Sequence, residues 1–243
     1  LARHDLGARL PDDDLCLRAA RALQAAAGTP LGADITVDKR VPWGAGLGGG
    51  SSDAATVLLG LNRLWGLHWT RERLAALGET IGADVPFFIG GQDAFVEGIG
   101  ERLRPLELPR QWYAVVKPPA PLATAQIFTH PALTRDTEAV IVEGSLNDAC
   151  VRMDWAGGDG GGFGRNDLQP VAESLCPEVA QAARWLEARY GNSRMTGSGS
   201  AVFARAGTGD LPMATFPAES LPPGWEGRMC RGLGRHPLAD WPG

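Results

Sequence analysis

The chain has 243 residues, 44% of them hydrophobic and 21% charged, the balance of a globular protein with material for one or two domains. Its formal net charge of -5 excludes the broadly basic surface of a nucleic-acid binder, and no apolar run approaches the ~20 residues of a membrane helix. No basic-then-apolar opening marks a secretory signal. The four cysteines, Cys16, Cys150, Cys176 and Cys230, form no CxxC and no metal-ligand spacing, so four reduced thiols in a cytoplasmic protein are expected.

Leu15 to Ala27 reads as a helix, with Leu15, Ala19, Ala20 and Leu23 on one face and Gly28 as its stop. Asp12, Asp13 and Asp14 stand at its start, where carboxylates suit free amides and the helix dipole. Ala33 to Asp38 alternates as a half-buried strand. After a glycine-rich loop, Asp53 to Trp65 is helical by its apolar face, and Thr70 is a plausible N-cap for a third helix through Leu74 and Leu77. A short apolar block, Asp84 to Ile89, is bounded by glycines, and Ala94–Glu97 with Arg102–Leu106 predicts a hairpin around Gly98 to Glu101. Trp112 to Lys117 is a further strand. Residues 156–164 are dominated by glycine and predict a mobile loop, and Asn166 to Arg189 reads as mostly helical. A buried strand, Ala201 to Ala204, follows a second glycine-rich run. This mixture argues α+β rather than a regular βαβ array.

The run Pro42-Trp43-Gly44-Ala45-Gly46-Leu47-Gly48-Gly49-Gly50-Ser51-Ser52 holds five glycines within the seven positions 44–50. Without side chains, successive backbone amides can turn inward around an anion, and the serines follow at a helix start whose amides are unsatisfied. Glycine loop plus helix N-terminus is a phosphate cradle. A plain glycine turn capped by serine is the bland alternative. Gly44, Gly46 and Gly49 spell GxGxxG, but the acidic residue that a dinucleotide fold wants about 20 positions later is absent: that region is Asn62-Arg63-Leu64-Trp65, inside a helix. No lysine follows these glycines as a Walker loop requires. Gly48 is expected to be where a Cβ would obstruct the phosphate.

This loop resembles the phosphate-binding motif of GHMP kinases, which runs Pro, three variable residues, Gly-Leu-Gly, then small residues and serines. Its GGGSSDAA continuation is similar to the branch acting on a diphosphocytidyl alcohol of non-mevalonate isoprenoid synthesis, rather than to the homoserine, galactose or mevalonate branches. The resemblance implies ATP on Pro42, Gly44, Ala45, Gly46, Leu47, Gly48, Gly49, Gly50, Ser51 and Ser52, with Mg²⁺ on the Ser52 hydroxyl. Lys39 resembles the branch's adenine-contacting lysine; a solvated strand-end charge is the alternative. Asp84, in Gly82-Ala83-Asp84-Val85-Pro86-Phe87-Phe88, takes the place of the family's catalytic base, which accepts the hydroxyl proton as the alcohol attacks the γ-phosphorus; read alone it is a helix cap or ion-pair partner.

Three further segments resemble the same family. Arg194 to Phe203 is similar to its third glycine motif, implying that Gly197, Ser198 and Gly199 meet the substrate's phosphates, where a hairpin turn would otherwise suffice. Asn166 to Pro170 resembles its NDLQP segment, with Asn166 and Asp167 expected to cap a helix. Thr124 and Phe128 lie in a segment like the one receiving the cytidine, where an aromatic ring can stack on the base; the alternative for Phe128 is a core aromatic.

The implied architecture is the two-lobed α+β GHMP fold: a ribosomal protein S5 domain 2-like domain over residues 1–115, then an α/β-plait-like domain over 116–243. A monomer or homodimer acting on a small molecule, with no nucleic-acid or membrane partner, is expected. Rival readings are a homoserine- or mevalonate-type kinase and a nucleotide-binding protein without turnover. The chain begins at Leu1, and the family's opening Pro-Ala-Lys strand and Asp-Gly-Tyr-His segment are not in it, so a missing N-terminal segment is expected. Asp14-Leu15 also stands where the family has Asn-Leu.

Overall fold

A computed structural model describes residues 1–7, 9–120, 122–137 and 165–241. The glycine-dominated stretch 156–164 and Cys150 lie outside the described residues. The described residues fall into two compact units, one within 1–43, 48–107 and 234–243 and the other within 44–47 and 108–233. A domain boundary at 115 would cut a strand, Trp112–Lys117, that pairs entirely within the second unit.

The first unit opens with β1 (Ala2–Leu6), which pairs in parallel with β2 (Asp34–Asp38), Ala2 opposite Asp34 and Leu6 opposite Asp38. Between them runs α1 (Leu15–Ala27). Asp14 is its N-cap, accepting from the amides of Cys16 and Leu17, and Gly28 ends it at φ 62°. That left-handed cap favours glycine. The helix α2 (Gly49–Leu64) begins four residues before the helical periodicity does, inside the glycine run. Then come α3 (Arg71–Glu79), whose N-cap Thr70 accepts from the Arg73 amide, and α4 (Val85–Gly90), closed by Gly91 at φ 72°. The predicted hairpin forms from β3 (Ala94–Glu97) and β4 (Arg102–Pro105), with Glu97 opposite Arg102.

Leu23, Leu58, Leu74, Val85 and Ile89 are fully buried in one core shared by α1, α2, α3 and α4. The one buried amide side chain there, Asn62, is satisfied in both directions: it donates to the Trp69 carbonyl at 3.1 Å and accepts from the Trp69 amide at 3.0 Å. Residues 234–241 return to this unit, and the Arg71 guanidinium donates to the carbonyls of Ile89, Leu238, Ala239 and Trp241.

The second unit is built on a four-stranded antiparallel sheet. In chain order its elements are β5 (Trp112–Lys117), α5 (Thr124–Thr129), α6 (Gln169–Leu175), α7 (Pro177–Tyr190), β6 (Arg194–Met195), β7 (Val202–Arg205) and β8 (Glu226–Arg231). The strand order is β6-β7-β5-β8. Val179, Ala182 and Leu186 of α7 join Ala114, Val116, Val202 and Ala204 of the sheet in one core. The mostly helical stretch expected over 166–189 forms as two helices, because Pro177 cannot donate to a continuing helix and restricts Cys176 to extended backbone at φ -141°.

Candidate active site

Within the first unit, β2 delivers Lys39 and Pro42 to the start of the glycine loop, and α2 carries Gly49, Gly50, Ser51 and Ser52 in its opening turn. Gly48 is the N-cap, left-handed at φ 65°, and has no side chain with which to cap the helix. The first amides of α2 therefore lack the side-chain acceptor that usually satisfies them, which leaves them for an anion. Neither the Ser51 nor the Ser52 hydroxyl has a hydrogen-bond partner among the described residues. Gly44 and Gly46 share the left-handed conformation, at φ 67° and 69°. These features fit the phosphates of a nucleotide.

The Gly82–Phe88 block lies against this turn. A Cβ on Gly48 would come within 2.9 Å of the Phe88 ring, and one on Gly82 would stand 3.9 Å from the Ser51 hydroxyl. Its backbone angle and the Phe88 ring both favour glycine at Gly48, besides any room that a phosphate needs there. Asp84 is the exposed N-cap of α4, and its side chain makes no capping bond. Nor does it enter an ion pair among the described residues, so the helix-cap and ion-pair readings of its carboxylate are not realised. The β3–β4 turn supports it from below: a Cβ on Gly100 would meet the Ala83 carbonyl at 2.7 Å.

Lys39 is not a solvated strand-end charge. Its ammonium is ion-paired with Asp53 of α2, and its side chain is only 13% exposed. Asp14 is taken up by α1 and by Arg3, at 2.5 Å. Cys16 beside it is inert, because burial, with the neighbouring Asp14 charge, pushes its thiol up to about 12.

In the second unit, the tip of the glycine loop is fastened to the turn 196–201. The amide of Ala201 donates to the Ala45 carbonyl at 3.1 Å, the Thr196 hydroxyl donates to the same oxygen at 3.0 Å, and the Ser200 amide donates to Gly44 at 3.4 Å. The two backbones approach so closely that a Cβ on Gly46 would lie 2.3 Å from the Thr196 carbonyl. The tip of the glycine loop, 44–47, and the third glycine motif are therefore in one place. Thr124 and Ser198 are also brought together, their hydroxyls 2.9 Å apart. Phe128 is 54% exposed, which removes the core-aromatic alternative.

Sequence reasoning missed what holds this turn. Asn166 donates to the carbonyls of Met195 at 3.0 Å and Gly197 at 2.7 Å, while its oxygen accepts from the Leu168 amide. Gln169 accepts from the Met195 amide at 2.9 Å. The NDLQP segment clamps the third glycine motif, and the cap expected of Asn166 and Asp167 is the smaller part of its role: the N-cap of α6 is Leu168, and Asp167 pairs instead with Arg165. No cluster of three or more His, Cys, Asp or Glu able to hold a metal is found among the described residues. No described helix is long and apolar enough to cross a membrane.

Comparison with known proteins accords with this geometry. Residues 14–92 match the family model of the GHMP kinases N terminal domain, and residues 147–211 that of the GHMP kinases C terminal domain. The 4-diphosphocytidyl-2-C-methyl-D-erythritol kinase of Methylibium petroleiphilum is 60% identical over 100% of this chain and 81% of its own length. That of Paracidovorax citrulli is 51% identical over 99% of this chain and 80% of its own. A solved 4-(cytidine 5'-diphospho)-2C-methyl-D-erythritol kinase superposes with a TM-score of 0.66 at 36% identity, covering 84% of this chain and 72% of that one. A homoserine kinase from Cytophaga hutchinsonii, at 17% identity and a TM-score of 0.63, shares the fold. On the matched domains, the relatives and the shared fold, this chain belongs to the GHMP kinase family.

Proposed function

We propose that the protein transfers the γ-phosphoryl group of ATP to the 2-hydroxyl of 4-diphosphocytidyl-2-C-methyl-D-erythritol, in the cytoplasm and as a step of non-mevalonate isoprenoid precursor synthesis. The observation that carries the substrate is the 60% identity to a kinase of that name along the whole chain. The geometry supports the chemistry. Consecutive glycines and the uncapped start of α2 supply backbone donors for the nucleotide's phosphates, which stabilise charge without reorganising.

Asp84 is the base that accepts the proton of the attacking hydroxyl. Its carboxylate stands at the start of a short helix seated on the buried Val85, Pro86 and Ile89, and no cap consumes it. Ser52 offers a free hydroxyl at which Mg²⁺ would be held, and that ion supplies neutralisation of the phosphate charge. Thr124, Phe128, Gly197, Ser198 and Gly199 receive the diphosphocytidyl end, the exposed Phe128 ring offering a face for cytosine.

The test is a coupled ADP-release assay on the protein expressed from its full coding sequence. The diphosphocytidyl alcohol should be turned over, and homoserine and mevalonate should not. Turnover of a control substrate alone would overturn the substrate assignment, and tight ATP binding with no turnover of any of them would make this a nucleotide-binding protein.

A further inference from the structure

Phe128 is an exposed ring on a helix too short to hold itself. α5 has six residues and one buried side chain, Ile127, and its N-cap Ala123 makes no side-chain cap. A single helix of that length is not stable alone in water. An aromatic ring offered to a ligand binds well only if it is fixed beforehand, because ordering it on binding costs affinity. Both ends of α5 are held by residues outside it. At the amino end, the Thr124 hydroxyl shares a hydrogen bond with Ser198 at 2.9 Å. At the carboxyl end, the Arg135 guanidinium donates to the carbonyls of Phe128 at 2.7 Å, Leu133 at 3.1 Å and His130 at 3.3 Å.

The last carbonyls of a helix have no partner inside it, and a cation suits that pole. Arg135 forms no ion pair among the described residues, and the shortest of these bonds goes to the main chain of the aromatic residue itself. The two holds also share one foundation. Two residues beyond Arg135, the Thr137 hydroxyl donates to the Asp167 carboxylate at 2.8 Å. Beside Asp167, Asn166 donates to the Gly197 carbonyl at 2.7 Å, one residue before Ser198. Chain and hydrogen bonds thus close a ring that leaves α5 at Thr124 and returns to it at Phe128, all within the second unit.

We propose that Arg135 is the positioning residue for Phe128: by holding the Phe128 carbonyl it sets the ring for stacking on the substrate's base. This rests on the cytidine-binding reading of Phe128 given above. Arg135 acts through the ring and not by touching the base, so its effect exists only while the ring is present.

The experiment compares wild type, Phe128→Ala, Arg135→Met, Arg135→Lys and the Phe128→Ala/Arg135→Met double variant, each expressed from the full coding sequence. The readouts are kcat, KM for the diphosphocytidyl alcohol and for ATP, and calorimetric binding of cytidine diphosphate. Phe128→Ala should weaken both cytidine ligands on the order of tenfold, the size of one lost stacking contact. Arg135→Met should weaken them about three- to fivefold, with kcat and KM for ATP within about twofold of wild type. Arg135→Lys keeps the charge at the helix end and should recover part of the loss. The double variant should be no worse than Phe128→Ala alone. Unchanged cytidine binding in Arg135→Met, or a loss that adds to that of Phe128→Ala, overturns the proposal. So does an equal loss in kcat and KM for ATP, which would make Arg135 a structural cap only. Phe128→Ala with unchanged cytidine binding would remove the stacking reading, and the proposal with it. Arg135 is exposed, so its replacement should leave the fold intact, which circular dichroism checks. Should Arg135→Met not fold, Arg135→Lys and Thr137→Val decide by the same contrast between cytidine ligands and ATP.

Discussion

The Thr196 hydroxyl donates to the Ala45 carbonyl at 3.0 Å and so ties two glycine-rich runs that lie 151 residues apart in the chain. The same oxygen accepts from the Ala201 amide, so the loop tip is held by one side-chain and one backbone donor.

Removing the side-chain donor should loosen the tip without releasing it. Thr196→Val keeps the shape and loses the hydroxyl, at about 1 kcal/mol of stability. The expected result is a lower melting temperature and a raised KM for ATP, with Thr196→Ser restoring both. If serine and valine behaved alike in thermal melts and in KM, the hydrogen bond would have no part in holding the loop.

Gly48→Ala should damage the fold before it damages nucleotide binding. The residue is left-handed at φ 65° and a Cβ would press on the Phe88 ring. The backbone penalty alone is roughly 1–2 kcal/mol. Phe88→Leu in the same chain should recover the steric part and leave the backbone part. Denaturant midpoints of the two variants and their combination measure this. A Gly48→Ala protein as stable as wild type would contradict the strained backbone.

Much of the fold was readable because the responsible signals are local. Asp14 and Gly28 bracket α1, Thr70 opens α3, and alternation marks β2. β1 was not readable, for a physical reason: its less exposed positions are Arg3 and Asp5, paired with one another, while Leu6 faces out at 59% exposure. The apolar alternation is inverted there. The start of α2 was read late because glycine is a poor helix former and carries no periodicity. At the site, the motifs announce the glycine loop and Asp84. The links Lys39–Asp53, Asn166–Gly197 and Thr124–Ser198 join residues that no local pattern relates.

Arg3 and Asp14 make a pH-dependent contribution to stability. Burial pushes the Asp14 carboxyl up, but the amides of Leu17 and Cys16 and the Arg3 guanidinium outweigh it, so it titrates below the ordinary carboxylate value. Folding therefore favours the ionised form, and the contribution is complete above the unfolded value near about 3.9. It is lost as the pH falls through the lower folded value. Asp14→Asn keeps an N-cap but loses the ion pair, so wild type should exceed it in denaturant midpoint at neutral pH. That gap should begin to narrow below about pH 4 and vanish only below the folded value. A gap independent of pH would mean that the carboxylate's charge is not what stabilises.

In the proposed function, Asp84 performs the proton transfer for a nucleotide held by the glycine loop. Asp84→Asn preserves the shape of the residue and removes the proton acceptor, and nothing in the fold depends on its side chain as a cap. The decisive measurement is kcat for phosphorylation of 4-diphosphocytidyl-2-C-methyl-D-erythritol together with calorimetric ATP affinity, on the same folded Asp84→Asn protein. The expected result is a fall in kcat of about 10²–10⁴-fold with ATP affinity unchanged. Near-normal turnover by the variant would contradict it.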